Sequence, residues 1–84
     1  MYAIELVPSA ARELADFDQA TKRRVARRID QLAEEPRGAG SLKLRGADDV
    51  WRARVGDYRL LYRIEDDRLL VLVIKIGHRR DVYR

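Results

Sequence analysis

The stretch from Trp51 to Arg63 constrains this 84-residue chain more than any other. Apolar and cationic residues alternate on both sides of Gly56-Asp57, and a glycine at the first central position suits a two-residue type II′ hairpin turn. With Gly56 and Asp57 as the loop, Val55 faces Tyr58, Arg54 faces Arg59, Ala53 faces Leu60 and Arg52 faces Leu61. One face then carries Trp51, Ala53, Val55, Tyr58, Leu60, Tyr62 and Ile64, and the other Arg52, Arg54, Arg59 and Arg63. A slip of one residue would exchange the two faces, so burying the first fixes the register.

The second face has an electrostatic cost. Opposed side chains on antiparallel strands have Cβ atoms ~5 Å apart, and like charges there repel. At an effective dielectric of about 20 the repulsion is roughly 3 kcal/mol before the guanidinium arms splay. A polyanion reverses its sign. The face is therefore read as an anion site rather than as a set of solvated edge arginines.

The rest of the chain fits one small domain, residues 1–84, which buries about 60% of the surface its unfolded form exposes. With no cysteine, neither a disulfide framework nor a cysteine-based zinc site can form. No apolar run reaches the ~20 residues of a membrane span, and no signal-peptide pattern opens the chain. The expected location is the cytoplasm, with no membrane partner. Residues 1–42 carry as many cations as anions, so the whole net charge of +4 falls in residues 43–84, which contain the hairpin. That asymmetry suggests a nucleic-acid or acidic protein partner.

In chain order, Tyr2 to Val7 alternates as a short strand ended by Pro8. Ser9 is the expected N-cap of a short helix reaching about Phe17. Asp18 caps a second helix to about Glu35, with Val25, Ile29, Leu32 and Ala33 as its apolar stripe. Lys22, Arg23, Arg24, Arg27 and Arg28 make its outer face, read as solvated, with an RNA-backbone or partner contact as the alternative. Pro36 to Gly40 is a loop. Leu42 to Gly46 and Asp48-Asp49 lead into the hairpin. Asp66-Asp67 is the next turn, pairing Glu65 with Arg68. Leu69 to Ile76 is a nearly continuous apolar strand.

The expected architecture is α+β, in the order β-α-α-β-β-β. A helical hairpin packs on one face of a twisted, mainly antiparallel four-stranded sheet. The arginine face is then open, together with Leu61, Leu70, Leu72 and Ile74.

Candidate chemistry is sparse. There is one histidine, the carboxylates sit in turns or helices, and Ser9 and Ser41 lie in no nucleophile elbow, so no metal, cofactor or triad is expected. RNA, however, carries its own nucleophile, the 2′-hydroxyl. A protein that cuts it need only position the phosphodiester, move protons and neutralise the phosphorane. Arginines supply the neutralisation. Tyr83, flanked by Arg79, Arg80 and Arg84, is a candidate base or a stacking platform for an unpaired nucleobase. As a C-terminal residue it could equally serve packing alone.

Three segments carry a family resemblance across nearly the full chain. They are Leu44-Arg45-Gly46, the hairpin from Trp51 to Ile64, and Val73 to Tyr83 with its Gly-His-Arg-Arg-Asp-Val-Tyr ending. Together they resemble the RelE toxins of the RelE/ParE toxin–antitoxin superfamily. The resemblance implies a ribosome-dependent, metal-independent endoribonuclease that cleaves mRNA in the ribosomal A site. It also implies a cognate antitoxin, in a complex expected to be oligomeric. By position, Arg59 and Arg79 match the arginines that hold the scissile phosphate, and Tyr83 matches the tyrosine acting on the 2′-hydroxyl. Arg52 and Arg54 match basic positions often occupied by lysine, and are given electrostatic roles because a guanidinium does not release its proton. Lys43, Arg45, His78 and Arg80 are the expected further RNA or ribosome contacts, with a share of proton transfer also open to His78. The alternative within the superfamily is a ParE-like inhibitor of DNA gyrase without nuclease chemistry.

Overall fold

The computed structural model describes residues 1–46 and 49–78. The chain runs β1 (Ala3–Leu6), α1 (Pro8–Ala15), α2 (Gln19–Glu34), β2 (Ser41–Lys43), β3 (Val50–Val55), β4 (Tyr58–Glu65), a 3-10 turn (Asp66–Arg68) and β5 (Leu70–His78). The strands form one sheet in the order β1-β5-β4-β3-β2, with β1 parallel to β5 and every other pair antiparallel.

The hairpin has the register its alternation predicts, from Val55 opposite Tyr58 back to Val50 opposite Arg63. Gly56 takes φ +56° and Asp57 does not turn positive, the sign pattern of a type II′ turn. Both helices lie on the apolar face. Ala10, Val25, Ile29 and Leu32 pack there against Ala53, Val55, Leu60, Tyr62, Val71, Val73 and Ile76. In α2 the apolar residues recur at the spacing of one helical face, and the Asp18 carboxylate accepts the Thr21 N–H at 3.2 Å, as expected of its cap.

Four local expectations are corrected. The sheet has five strands rather than four, because Ser41–Lys43 pairs with Ala53–Trp51 along the outer edge of β3. The first helix starts at Pro8, with Val7 as its cap residue. Proline has no N–H to satisfy and its ring sets a helical φ, so it precedes Ser9 into the first turn. The β4–β5 connection is the 3-10 turn closed by Leu69 at φ +48°, so Glu65 pairs with Leu70 instead of Arg68. A bulge opposite Leu61 and Tyr62 leaves Ile74 without a partner on β4 and turns Lys75 toward the arginine face.

Past Val73, β1 no longer covers β5, and α1 closes the free edge. The Glu13 carboxylate accepts the Ile76 N–H at 3.2 Å and holds Lys75 Nζ at 2.6 Å. This side chain satisfies a ladder donor that would otherwise template another strand.

A second polar tie joins three distant segments. Arg37 meets Asp66 with both guanidinium arms, at 3.0 and 2.8 Å, and the Tyr2 hydroxyl donates to Asp66 at 2.7 Å. Arg37 also lies over the Trp51 ring, 5.6 Å from its centroid. The Arg37 hydrogen bonds, followed by that of Tyr2, hold the Asp66 carboxyl down to about 2, below its ordinary 3.8. Its folded pKa is thus lower than its unfolded one. The stabilisation is complete above about pH 4 and drains away as the pH falls toward 2. The pair is largely exposed, so salt should weaken the effect. Asp66→Asn is expected to flatten the acid limb of a Tm-against-pH profile between those values. An unchanged limb would remove the cluster from the account of acid stability.

Candidate nucleic-acid interface

Alternation along β3 and β4 sets Arg52, Arg54, Arg59 and Arg63 on the face away from α1 and α2, with Arg54 directly opposite Arg59. On the far side of Arg59 stands Gly77, which has no side chain to crowd it. The four arginines are not alike. Arg54 and Arg63 are exposed and Arg52 is half-buried, but Arg59 is only 5% exposed. Val50 and Leu70 on the same face are also buried, at 6% and 4%. The face is therefore less open than its composition predicts.

Within this setting the Arg59 guanidinium is under-satisfied. Its Nη1 donates to the Tyr58 carbonyl at 3.4 Å, at the long end of a hydrogen bond, while its Nε has no acceptor among the described residues. A buried cation with a spare N–H, facing a second cation across the ladder, favours a planar oxyanion that takes several donors at once. Beside it, Arg52, Arg54, Leu42 and Gly40 line an open groove of about 360 Å³.

The remaining expected contacts divide. Leu42 pairs with Arg52, so Lys43 falls opposite Trp51 on the other face of β2, where it meets Asp49 at 3.7 Å. Arg45 is exposed in the turn after β2. His78 pairs with Tyr58, and its ring stands edge-on to the tyrosine at 5.7 Å, with Phe17 stacked 4.9 Å beyond. That row belongs to the helix-bearing face, so His78 and Arg59 point to opposite sides of the sheet. Arg79, Arg80 and Tyr83 lie outside the described residues. Among the described residues, no three His, Asp or Glu side chains gather in a metal-holding set.

Sequence reasoning missed a second basic cluster. Of the α2 cations read as a solvated face, Arg28 is half-buried and reaches the Ala39 carbonyl at 3.3 Å and Ser41 Oγ at 3.4 Å. Arg24 lies across Gly56 so closely that a Cβ there would meet its Nη2 at 2.7 Å. The signal was the recurrence of arginine at 24, 27 and 28, but only the tertiary fold turns that edge of the helix toward the hairpin tip.

Comparison with known proteins gives the family and the fold. A family model described as the ParE toxin of the parDE type II toxin-antitoxin system matches residues 4–83. Over 53 residues the chain is 42% identical to Toxin RelG of Mycobacterium tuberculosis, a match spanning 63% of this chain and 61% of that protein. Over 80 residues it is 26% identical to the mRNA interferase toxin RelE of Escherichia coli K12, covering 93% of this chain and 83% of the relative. The crystal structure of the intact Escherichia coli RelBE toxin-antitoxin complex contains a chain that superimposes with a TM-score of 0.82. That match has 26% identity and covers 93% of this chain and 96% of the other.

Proposed function

The chain belongs to the ParE toxin family of type II toxin-antitoxin systems, as a RelE-type member of the RelE/ParE superfamily, and from that premise we propose that it is an endoribonuclease. It cleaves mRNA in the ribosomal A site, without a metal ion, and so arrests translation. The observation that carries this reading is the Arg54–Arg59 pair, with the Arg59 guanidinium buried and its Nε without an acceptor among the described residues.

In this mechanism the 2′-oxygen of the message attacks the adjacent phosphorus. A 2′-O–P bond forms, the P–O5′ bond breaks, and the products are a 2′,3′-cyclic phosphate and a 5′-hydroxyl. One proton leaves the 2′-hydroxyl and one reaches the 5′-oxygen. Arg59, with Arg54 and Arg79, stabilises the extra charge of the phosphorane, and the buried Arg59 does so from a position set before reaction, the arrangement that gives electrostatic catalysis its size. Arg52 raises the local potential, and Tyr83 acts on the 2′-hydroxyl. Lys43, Arg45, His78 and Arg80 serve as further contacts to the message or ribosome. Lys43 and His78 reach them from the face away from Arg59.

A cognate antitoxin holds the toxin inactive, in line with the toxin-antitoxin complex among its structural neighbours. A gyrase-directed activity is less well supported, because the named relatives that span most of the chain are RelE proteins.

Expression in a translation extract tests the proposal. The expected result is message cut within ribosome-bound codons, naked message left intact, and cleavage lost in Arg59→Ala. Double-strand breaks in DNA with intact message would instead identify a gyrase poison.

A further inference from the structure

We propose that the groove between α2 and the hairpin tip is a second phosphodiester-binding site, joined through Arg54 to the sheet-face site. The inference rests on the nucleic-acid reading above and extends it to residues outside the cleavage machinery.

The groove exists because β2 is short. Ser41 is opposite Ala53, so the outer edge of β3 beyond that pair has no strand beside it, and α2 forms the other wall. The space is about 250 Å³ and is lined by Arg24, Arg27, Arg28, Gln31, Arg54 and Gly56. One of the cations is held in place by hydrogen bonds and a second lies close over the turn. Arg28 is fixed by Ala39, Ser41 and Gln31 Oε1, the last at 3.2 Å, and Arg24 lies over Gly56, whose missing side chain makes the room. Among the described residues, no carboxylate lies within ion-pair distance of Arg24, Arg27 or Arg54. Four guanidinium groups that converge with no counter-charge among the described residues are set for an anion.

The lining also separates one kind of anion from another. An acidic protein segment binds tightly when an apolar or aromatic anchor enters a pocket, and the buried Val55 is the one apolar side chain among the described residues that line this groove. Forked donors on several sides match the tetrahedral oxygens of a phosphate. Arg54 lines this groove and also the 360 Å³ groove on the sheet face. A single nucleic-acid strand can therefore pass around the hairpin edge and engage both.

The test uses the full chain and a 2′-O-methyl oligoribonucleotide, which cannot undergo transesterification. Fluorescence anisotropy over a potassium chloride series gives affinity and salt slope. The double variant Arg24→Gln/Arg27→Gln is compared with Arg12→Gln/Lys22→Gln, which removes the same charge away from the groove. Loss of two phosphate contacts should lower the slope of log K against log salt by about 1.4. At fixed salt it should weaken binding roughly tenfold. The control pair should leave the slope near that of the parent. Equal losses in both pairs would reduce the groove to general surface charge, and an unchanged Arg24/Arg27 variant would overturn the proposal outright. Tighter binding of polyglutamate than of the oligonucleotide at the same residues would assign the groove to an acidic protein. All three adverse outcomes are compatible with message cleavage that depends on Arg59, so this site can fail while the proposed activity stands.

Discussion

Arg59→Met is expected to raise the stability of the free protein while slowing message cleavage by two to three orders of magnitude, ~10²–10³. The wild-type side chain is 5% exposed, faces Arg54 across the strand pair and leaves its Nε without an acceptor among the described residues. Burying a charge under those conditions is costly, and replacing buried charges by apolar side chains of similar volume is neutral or stabilising by roughly 1–4 kcal/mol. Methionine fills most of the same space and ends the repulsion with Arg54. A gain of about 1 kcal/mol, or ~4–8 °C in Tm for a chain of this size, is the expected size. Cleavage should fall by ~10²–10³, the usual loss when a preorganised donor to a developing oxyanion is removed. A melting curve and a cleavage assay on programmed ribosomes check the two halves together. A variant that melts earlier and still cuts would make Arg59 a structural residue.

The second large effect concerns Tyr62, which is fully buried and whose hydroxyl donates to the Pro36 carbonyl at 2.6 Å. Burial also raises the pKa of this phenol, so it remains a neutral donor. The ring fills the core between β4 and the helices, and the hydroxyl ties the loop after α2 to the centre of the sheet. Tyr62→Phe keeps the ring and strands a buried carbonyl, a cost of about 1–2 kcal/mol. Tyr62→Ala removes both and leaves a cavity, for roughly 3–5 kcal/mol in all. Against a total stability of roughly 5–15 kcal/mol the alanine variant loses a large share of its folded population. Urea denaturation measures both. Similar losses for the two variants would place the whole effect in the hydrogen bond and leave none for the ring.

The hairpin register is readable from sequence because three local signals agree. A glycine stands where the turn needs positive φ, the loop has only two residues, and a slip would bury four arginines. Asp18 and the Val25–Leu32 stripe are readable for similar local reasons. The corrected features depend on partners distant in sequence. Ser41–Lys43 is three residues long with Leu42 exposed, so it has no alternation to read and becomes a strand only because the β3 edge is free. Leu69 adopts a left-handed conformation that its side chain does not favour, set by the need to close the 3-10 turn. The bulge at Ile74 leaves no mark in an apolar run, yet it decides which face Lys75 occupies.

The same division holds for the candidate site. Arg52, Arg54 and Arg59 share a face by period two alone. That Arg59 is buried, and that His78 turns toward Tyr58 on the opposite face, follows from the pairing of β4 with β5. The α2 arginines gain their meaning only when the helix is laid against the hairpin tip.

The pairing of Arg54 and Arg59 on one phosphate is tested most directly by a double-mutant cycle. Single-turnover cleavage of ribosome-bound message is measured for wild type, Arg54→Gln, Arg59→Gln and the double variant. Two guanidinium groups that share one phosphorane give losses that do not add, so the double variant should be little slower than the worse single one. Strictly additive losses, or a single variant cutting at the wild-type rate, would contradict a shared phosphate.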